Sequence, residues 1–479
     1  MKMKNDMIDF ALETNVNPYL LGKYEPIHDE VFVENLEVIE GEVPKDINGI
    51  YVRNGPNPKY ETRGRYHWFD GDGMLHSVQL RDGKVSYRNR WIKTAAFERE
   101  AAVGESIWFG RMESMVKNPK DMPLKDTSNT DVVFHNKQLM TLWYMSGKPY
   151  KVDPQTLETL GIEDFGGKYK NNISAHTKVD EQTGDLMFFD YGPLRSSLTY
   201  GVVSASGILI HCVDVDLPGP RLPHDMAITE NYSILMDLPL FADSNAISKG
   251  RYKVEFHRDV PSRFGILPRF GSNENIRWFE AEPCYIYHTI NSWEEGDEIV
   301  LLGCRVEEPM PEVTKNASPL ARMLAYLQLN ARLYYWRFNL TTGVVKEGLL
   351  DDINTEFPTV NLNFVGRKSR YTYNVHISNE QTLSFDGLVK YDTEKQNSET
   401  LMFGKGRYGN EAAFAPRQYS NSEDDGYLVT FVHDEVENQS ELLIIDALNF
   451  ANGAIARVKI PVNIPIGFHA CWVPGEKID

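Results

Sequence analysis

Cysteine is scarce in this chain: there are 4 among 479 residues, and no two of them form a CxxC pair. That scarcity excludes a disulfide-stapled fold and a cysteine-based zinc site, and it is typical of reduced, buried thiols. Long apolar runs are also missing, since no stretch of about 18 apolar residues could cross a bilayer. The segment Met1 to Phe10 carries charges throughout and lacks the apolar region of a secretory signal. These absences together predict a cytoplasmic protein.

Positive charge is in deficit, because 50 basic residues face 68 acidic ones and the net charge is -18. A surface that binds the phosphates of a nucleic acid needs an excess of positive charge, so no nucleic acid is expected as a partner. Hydrophobic residues make up 42% of the chain, which is enough for a large core. No low-complexity linker divides the sequence. We therefore predict an N-terminal arm at residues 1–30 and a single catalytic domain at residues 31–479.

Short segments rich in Val, Ile, Tyr and Phe alternate with turn clusters along most of the chain. The hairpin Leu75 to Tyr87, turning at Arg81-Asp82-Gly83, is one example. Further predicted strands are Gly49 to Arg53, Asp185 to Tyr191, Ile299 to Val306, Tyr334 to Asn339 and Tyr427 to Val432. Roughly two dozen such segments fit. An all-β chain of this length suggests radial repetition, a β-propeller, although no visible repeat defines the number of blades.

Two stretches are predicted to depart from this strand pattern. Lys4 to Thr14 is predicted to form a helix in the N-terminal arm. Ser318 to Leu333 has apolar residues at three-to-four spacing and is predicted to be an amphipathic helix or an apolar loop over the core.

Histidine supplies the candidate chemistry. Of 12 histidines, five lie in contexts that look inward-facing: His176, His224, His288, His376 and His469. The first three each open a strand-like run that is followed by a turn. Because a propeller points the starts of its inner strands at one axis, histidines at that position in different blades would converge there. A hydrogen-bonded core histidine is the alternative for each, and the residues alone exclude neither His376 nor His211.

The chain resembles the carotenoid cleavage oxygenase family, which includes stilbene-cleaving dioxygenases, from about Glu37 to Pro474. Two signatures carry the resemblance, Gly49-Ile-Tyr-Val-Arg-Asn-Gly-Pro-Asn-Pro58 and His67-Trp-Phe-Asp-Gly-Asp-Gly-Met-Leu-His76. Four further motifs follow in the order of the family: Ser174-Ala-His176, Pro223-His-Asp225, His288-Thr-Ile-Asn291 and Ile464-Pro-Ile-Gly-Phe-His469. The resemblance implies a seven-bladed propeller with a metal on its axis, under a cap of loops and helices.

The resemblance also implies the ligands. His176, His224, His288 and His469 match the positions at which the family holds Fe(2+). Four neutral imidazoles suit ferrous iron and leave two octahedral positions open for O2 and water. Thr130 matches a threonine that many microbial members place beside the vacant coordination site, and it is our candidate catalytic residue.

Family members support their ligating histidines with glutamates, because a hydrogen bond to the second ring nitrogen orients the imidazole. Two match here, Glu356 in Thr355-Glu-Phe-Pro358 and Glu411 in Asn410-Glu-Ala-Ala-Phe414. At the third position this chain has Tyr144. One histidine, His224 or a neighbour, is therefore expected to be supported by the Tyr144 hydroxyl, by water or by nothing.

Stilbene cleavers of the family hold a phenolic hydroxyl with a Tyr and a Lys, and this chain has Met112 and Trp143 near those positions. An apolar channel suits a polyene better, so a carotenoid or apocarotenoid is the expected substrate. The candidate contacts are Phe69, Trp108, Phe109, Trp143 and Phe364. The segments Ala101 to Gly110 and Ser318 to Leu333 form an apolar rim for peripheral contact with a membrane, or else pack on the propeller.

Three hypotheses follow. The first is an iron dioxygenase that cleaves a conjugated C=C bond of a carotenoid-type polyene to two carbonyl products. The second is a stilbenoid-cleaving dioxygenase with a rebuilt pocket. The third is a non-catalytic propeller that binds a lipid or a partner, which the unusual Tyr144 keeps open.

Overall fold

Strands dominate the computed structural model, which describes residues 16–314, 317–420 and 422–478. Within these ranges the strands form eight sheets, of which seven have four to six strands and one is a two-stranded ribbon. We number the seven larger sheets as blades. All strands predicted from the sequence overlap observed ones, and the all-β class is confirmed. The helix predicted at Lys4 to Thr14 lies outside the described residues.

The strands of blades 1 to 3 come from the first half of the chain, with one addition from its end. Blade 1 consists of Phe32–Val33, Lys84–Trp91, Gly73–Arg81, Gly49–Pro56 and Ala470–Pro474; blade 2 of Asp131–His135, Gln138–Leu142, Tyr150–Val152 and Thr159–Ile162; and blade 3 of Lys178–Val179, Leu186–Asp190, Ser197–Val203 and Leu209–Asp216.

The remaining blades follow in chain order. Blade 4 consists of Ala227–Ile228, Tyr232–Asp237, Ser262–Pro268 and Arg277–Ala281; blade 5 of Tyr285–Glu295, Glu298–Val306, Ala331–Asn339 and Val345–Leu349; blade 6 of Thr355–Thr359, Tyr371–Ile377, Phe385–Asp392 and Asn397–Met402; and blade 7 of Arg407–Gly409, Ala413–Pro416, Gly426–Asp434, Gln439–Asp446, Ala454–Lys459 and Val38–Gly41. The ribbon pairs Leu240–Ala242 with Val254–Phe256.

Turn chemistry explains the hairpins. In blade 1, Arg81 pairs with Lys84 across a two-residue loop. Both loop residues have positive φ, 52° at Asp82 and 75° at Gly83. Two left-handed residues in succession match the twist of antiparallel strands, and Asp-Gly adopts that conformation readily. The predicted turn is therefore confirmed.

Three α-helices are described: α1 Ala95–Val103, α2 Ser244–Ser248 and α3 Pro319–Tyr326. Short 3-10 turns span Pro18–Leu20, Gly22–Tyr24, Trp68–Asp70, Met115–Lys117, Asn273–Asn275, Leu362–Phe364, Phe450–Asn452 and Gly475–Lys477. The Ser318 side chain caps α3, with Pro in its first turn. The predicted extension of this helix to Leu333 is wrong, because Ala331–Asn339 pairs along its whole length with the neighbouring strand of blade 5.

The ring of blades closes by pairing strands from distant parts of the chain. Gly49–Pro56 pairs with Ala470–Pro474 in blade 1. In blade 7, Val38–Gly41 pairs with Ala454–Lys459. Closure of this kind protects sheet edges that would otherwise be exposed.

Apolar clusters fill the spaces between successive blades. Phe264 of blade 4, for example, packs against Trp336 and Phe338 of blade 5, with ring centroids 5.4 and 5.0 Å away. All three side chains are buried. Packing between the sheets therefore holds each blade at a set angle to the next.

A cavity of about 260 Å³ lies on the axis and receives one strand from every blade. Its lining includes, from blades 1 to 7 in turn, Cys471, Val132, Val179, Ala227, Ile290, Thr359 and Ala413. The fold is thus a seven-bladed β-propeller, as the resemblance implied. No helix in the described part of the chain is long and apolar enough to span a membrane.

Candidate metal centre

Four histidines meet at one end of the axial cavity. The ring centroid of His176 lies 4.7 Å from that of His224, 5.0 Å from His288 and 4.6 Å from His469. His288 lies 5.3 Å from His224 and 4.6 Å from His469. Nitrogen atoms of His176, His224 and His288 all come within 4.8 Å of one another. The motif histidines therefore converge, as the propeller geometry requires.

Each histidine sits at or just before an innermost strand. His176 precedes Lys178–Val179 and has a left-handed φ of 69°, a costly conformation for a residue with a side chain. Its backbone N–H donates to Oδ2 of Asp131 at 2.9 Å, which anchors this bend to blade 2. His288 lies within the strand of blade 5, where the pairing register shifts between Ile286 and Thr289. That irregularity re-aims the side chain towards the axis.

Two buried glutamates hold the outer nitrogens of two rings. Nδ1 of His288 makes a short hydrogen bond with Oε2 of Glu356. Nδ1 of His469 lies 3.3 Å from Oε1 of Glu411. Glu411 also accepts from the Ala470 N–H at 2.5 Å, which fixes the carboxylate. Each carboxylate can accept a proton held on Nδ1 and so leave Nε2 of the same ring as a lone-pair donor.

At His469 the effect of burial is outweighed by the Glu411 carboxylate, which raises the pKa of the ring. Burial governs protonation at the other three histidines. It lowers the pKa of His176, His224 and His288 well below the usual range, and mutual repulsion among the histidines adds to this. Neutral imidazoles are the form that binds a metal ion.

The third expected support differs from the other two. The Tyr144 ring lies 5.8 Å from that of His224, but its hydroxyl accepts a short hydrogen bond from Nη1 of Arg111. Nε of Arg111 also donates to Asp70 at 2.9 Å. No hydrogen bond joins the His224 ring to any residue that the structure describes.

The donor set fits a metal ion. Nε2 of His176 and Nε2 of His288 are buried and have no hydrogen-bond partner within the described ranges. Such atoms are costly in a protein interior unless a ligand satisfies them. Imidazole nitrogens suit Fe(II), but they also suit other divalent metals of the first transition row.

A second cavity, of about 420 Å³, lies on the other side of the histidines. His288 and His469 line both cavities, so the cluster separates them. Thr130 lines the larger one, is buried, and its hydroxyl donates to Oδ1 of Asn129 at 3.1 Å. Helix α3 contributes Met323 to the wall.

The five aromatic residues proposed as substrate contacts are not brought together. Phe69 lines the 420 Å³ cavity. Trp108, Phe109 and Trp143 line a separate cavity of about 40 Å³. Phe364 lies in a 3-10 turn, and its carbonyl accepts a hydrogen bond from Asn291. Neighbouring residues of that turn line the axial cavity instead.

The two other candidate histidines have partners elsewhere. Nδ1 of His376 lies 2.6 Å from Oδ1 of Asp386 in blade 6. Nε2 of His211 lies 2.9 Å from the carbonyl of Gly271. Geometry thus separates them from the converging set.

Asp225 was missed as a positioning residue by the sequence reasoning. Its Oδ2 accepts from the Thr289 N–H at 2.7 Å, and its Oδ1 pairs with Lys178 at 2.7 Å. It therefore ties three consecutive inner strands together beside the histidines. Its place next to His224 was the available signal.

Comparison with known proteins identifies the family of the chain. The sequence profile of the family described as retinal pigment epithelial membrane protein matches residues 24–474. Carotenoid 9,10(9',10')-cleavage dioxygenase 1 of Pisum sativum is 35% identical over 96% of this chain and 90% of its own length. Isoeugenol monooxygenase of Pseudomonas nitroreducens is 32% identical over 96% of this chain and 98% of its own. The solved structure of Pseudomonas brassicacearum lignostilbene dioxygenase has a TM-score of 0.87 at 29% identity, covering 96% and 98% of the two chains.

A propeller of seven blades with a histidine cluster on its axis is the architecture of an oxygenase class. With the matches above, the chain belongs to the carotenoid cleavage oxygenase family and is an oxidoreductase of the class that incorporates O2.

Proposed function

We propose that this chain is a non-haem iron(II) dioxygenase that cleaves a conjugated C=C bond of a carotenoid or apocarotenoid into two carbonyl products. The convergence of four imidazoles, with two buried Nε2 atoms lacking partners, is the observation that carries the proposal. His176, His224, His288 and His469 would hold the ion. Bound there, iron(II) supplies the activation of O2 that the cleavage needs.

The protein groups around the ion position and protect it. Glu356 and Glu411 keep the protons of His288 and His469 on Nδ1, which aims both Nε2 lone pairs at the axis. The Phe357 ring packs 4.9 Å from His288 and 5.0 Å from His469, so water is excluded from that side. Thr130 presents a small polar side chain to the cavity that would hold the alkene.

The cavity lining supports an apolar substrate. Leu240, Met323, Leu327 and Phe468 line the 420 Å³ space next to the histidines. A volume of this size is in the usual range for a site that buries a small organic ligand. We assign Phe69 to substrate contact because its ring faces this space and packs 5.1 Å from Phe468.

A second candidate is cleavage of a stilbenoid or another hydroxyaryl alkene. Six tyrosines line the same cavity, Tyr144, Tyr191, Tyr252, Tyr285, Tyr287 and Tyr326. A wall rich in hydroxyl groups suits an oxygenated aromatic substrate as well as an apocarotenoid.

Delivery of a polyene from a membrane would use exposed apolar side chains. Val103, at the end of α1, is 58% exposed, and Val116 is 77% exposed. We propose that the end of α1 and the turn Met115–Lys117, which carry these two side chains, contact the lipid. The apolar residues of α3 pack inward instead, since Leu320, Met323 and Leu324 are buried.

Product analysis tests the function. The iron-loaded protein is incubated under 18O2 with a β-apocarotenal, β-carotene and a hydroxystilbene, and the products are reduced at once, because aldehydes exchange oxygen with water. We expect two labelled products from a polyene. His288→Ala is the matched control and should give none. Turnover of the stilbene alone would transfer the assignment to the second candidate, and turnover of no alkene would refute both.

A further inference from the structure

Tyrosines form part of the wall of the 420 Å³ cavity. Tyr252 lies just before the ribbon strand Val254–Phe256, and Tyr287 lies in the innermost strand of blade 5. Both side chains are partly buried. The Tyr287 ring lies 5.2 Å from that of His224, so this wall adjoins the histidine cluster.

The hydroxyls of the cavity tyrosines differ in their partners. Tyr285 donates to the Leu222 carbonyl at 2.7 Å. Tyr191 donates to the Tyr144 carbonyl at 2.9 Å. The hydroxyls of Tyr252 and Tyr287, by contrast, make no hydrogen bond to any residue within the described ranges. Of the six cavity tyrosines, Tyr144, Tyr191 and Tyr285 are thus bonded to protein groups. Tyr326, on α3, also makes no hydrogen bond within the described ranges, but of the three unpartnered tyrosines it is Tyr287 that lies beside the histidine cluster.

Tyr252 and Tyr287 share the cavity with a cation, since Arg111 also lines it. A phenolic hydroxyl is both a donor and an acceptor, so both tyrosines can hydrogen-bond to an oxygen atom of a ligand.

We infer that Tyr252 and Tyr287 form a subsite for an oxygen atom of the substrate, a hydroxyl or a carbonyl carried by the conjugated alkene. The inference rests on the proposed function for the nature of the ligand. It deepens that function because a few polar groups in an apolar cavity determine orientation. A hydrocarbon would leave both hydroxyls without partners. The subsite therefore selects oxygenated alkenes over hydrocarbons of the same length.

Equilibrium binding tests the subsite without turnover. The full-length, iron-loaded protein is kept free of O2, and quenching of its tryptophan fluorescence is followed with two pairs of probes. One pair is 4-hydroxystilbene and stilbene; the other is a β-apocarotenal and the hydrocarbon of matching length. We expect the oxygenated member of at least one pair to bind about 10-fold more tightly. The pair that shows the preference identifies the oxygen as phenolic or carbonyl.

Tyr→Phe variants test whether the two hydroxyls cause the preference for the oxygenated probe. Tyr252→Phe/Tyr287→Phe should reduce the ratio to about 1 while hydrocarbon binding is retained. Tyr285→Phe and Tyr191→Phe are matched controls, since their hydroxyls are already bonded to backbone carbonyls, and they should keep the ratio. Circular dichroism melts verify that each variant is folded. No preference in the parent protein, or an undiminished preference in the folded double variant, would overturn the inference.

The outcome is separable from that of the proposed function. The same titrations are repeated on protein from which metal has been removed by chelation. A preference for the oxygenated probe there, with no alkene cleaved by the loaded protein, would uphold the subsite and refute the dioxygenase. Cleavage of both members of each pair with equal KM would uphold the dioxygenase and refute the subsite.

Discussion

The hydroxyl of Tyr144 accepts a hydrogen bond from Nη1 of Arg111, although Tyr144 stands where relatives are expected to have a glutamate that supports a histidine. The Arg111 guanidinium also donates to Asp70, so it is held from two sides. The Tyr144 ring packs near His224 without a hydrogen bond to it. We therefore infer that Tyr144 positions Arg111 in the cavity wall and does not support a metal-binding histidine.

The first prediction concerns this pair. Tyr144→Phe should retain iron as the parent protein does, because no hydrogen bond to a histidine is lost. Its free energy of unfolding should fall by about 1–3 kcal/mol, the usual cost of losing a hydrogen bond to a charged group. Metal analysis after dialysis against a chelator, together with urea denaturation, measures both. Loss of iron from a folded Tyr144→Phe protein would mean that Tyr144 does support a ligand.

The second prediction concerns Glu356. Glu356→Gln should fold but bind iron about 10–100-fold more weakly, because the amide no longer holds the proton on Nδ1 of His288. Glu441→Gln is the control, since Glu441 is also buried but pairs with Arg407 and Arg457 in blade 7. Competition with a fluorescent chelator gives the affinities. If both variants lost iron equally, the effect would come from general destabilisation.

A third prediction tests close packing behind His469. A Cβ on Gly467 would lie 1.6 Å from Nη1 of the buried Arg53. Gly467→Ala should destabilise the protein by about 1–3 kcal/mol and weaken iron retention, because His469 follows two residues later. At Gly192 the nearest atom is 3.5 Å away, so Gly192→Ala is the control. Thermal melts and metal analysis compare the two; equal behaviour would contradict the packing argument.

A fourth prediction follows from linkage. Because the histidines are brought together only in the folded chain, iron should stabilise the native state. With free metal at 100 times its dissociation constant, the gain is about 2.7 kcal/mol. Chelation should lower the melting temperature, and readdition of Fe(II) under argon should restore it. The protein with His176→Ala, which lacks one proposed ligand, should show a much smaller response; an equal response would place the stabilising metal elsewhere.

Much of the fold could be predicted from local patterns. The Asp82-Gly83 turn determines a hairpin by itself, since its residues must be left-handed. The number of blades came from the resemblance, because no repeat is visible in the sequence. Helix α3 was predicted too long, since the pairing of Ala331–Asn339 with blade 5 depends on a distant strand.

In the candidate site, the histidines were predictable from the sequence and the grouping of the aromatic residues was not. The four histidines could be named because their motifs match the family, and their convergence follows from the placement of innermost strands. Which aromatic candidates share a cavity with the histidines could not be predicted, because Trp108, Phe109 and Trp143 are grouped by loop packing that no local pattern encodes. Tyr252 and Tyr287 lie on separate elements, and only the folded chain shows that their hydroxyls have no hydrogen-bond partner among the described residues.

The most direct test of the central claim is X-ray absorption spectroscopy at the iron edge of the loaded protein. The account predicts one ferrous ion per chain, with multiple scattering from four imidazole rings and no carboxylate ligand. It also predicts three rings in a His469→Ala variant that still retains metal. Iron bound by two imidazoles or fewer, or directly by Glu356 or Glu411, would contradict it.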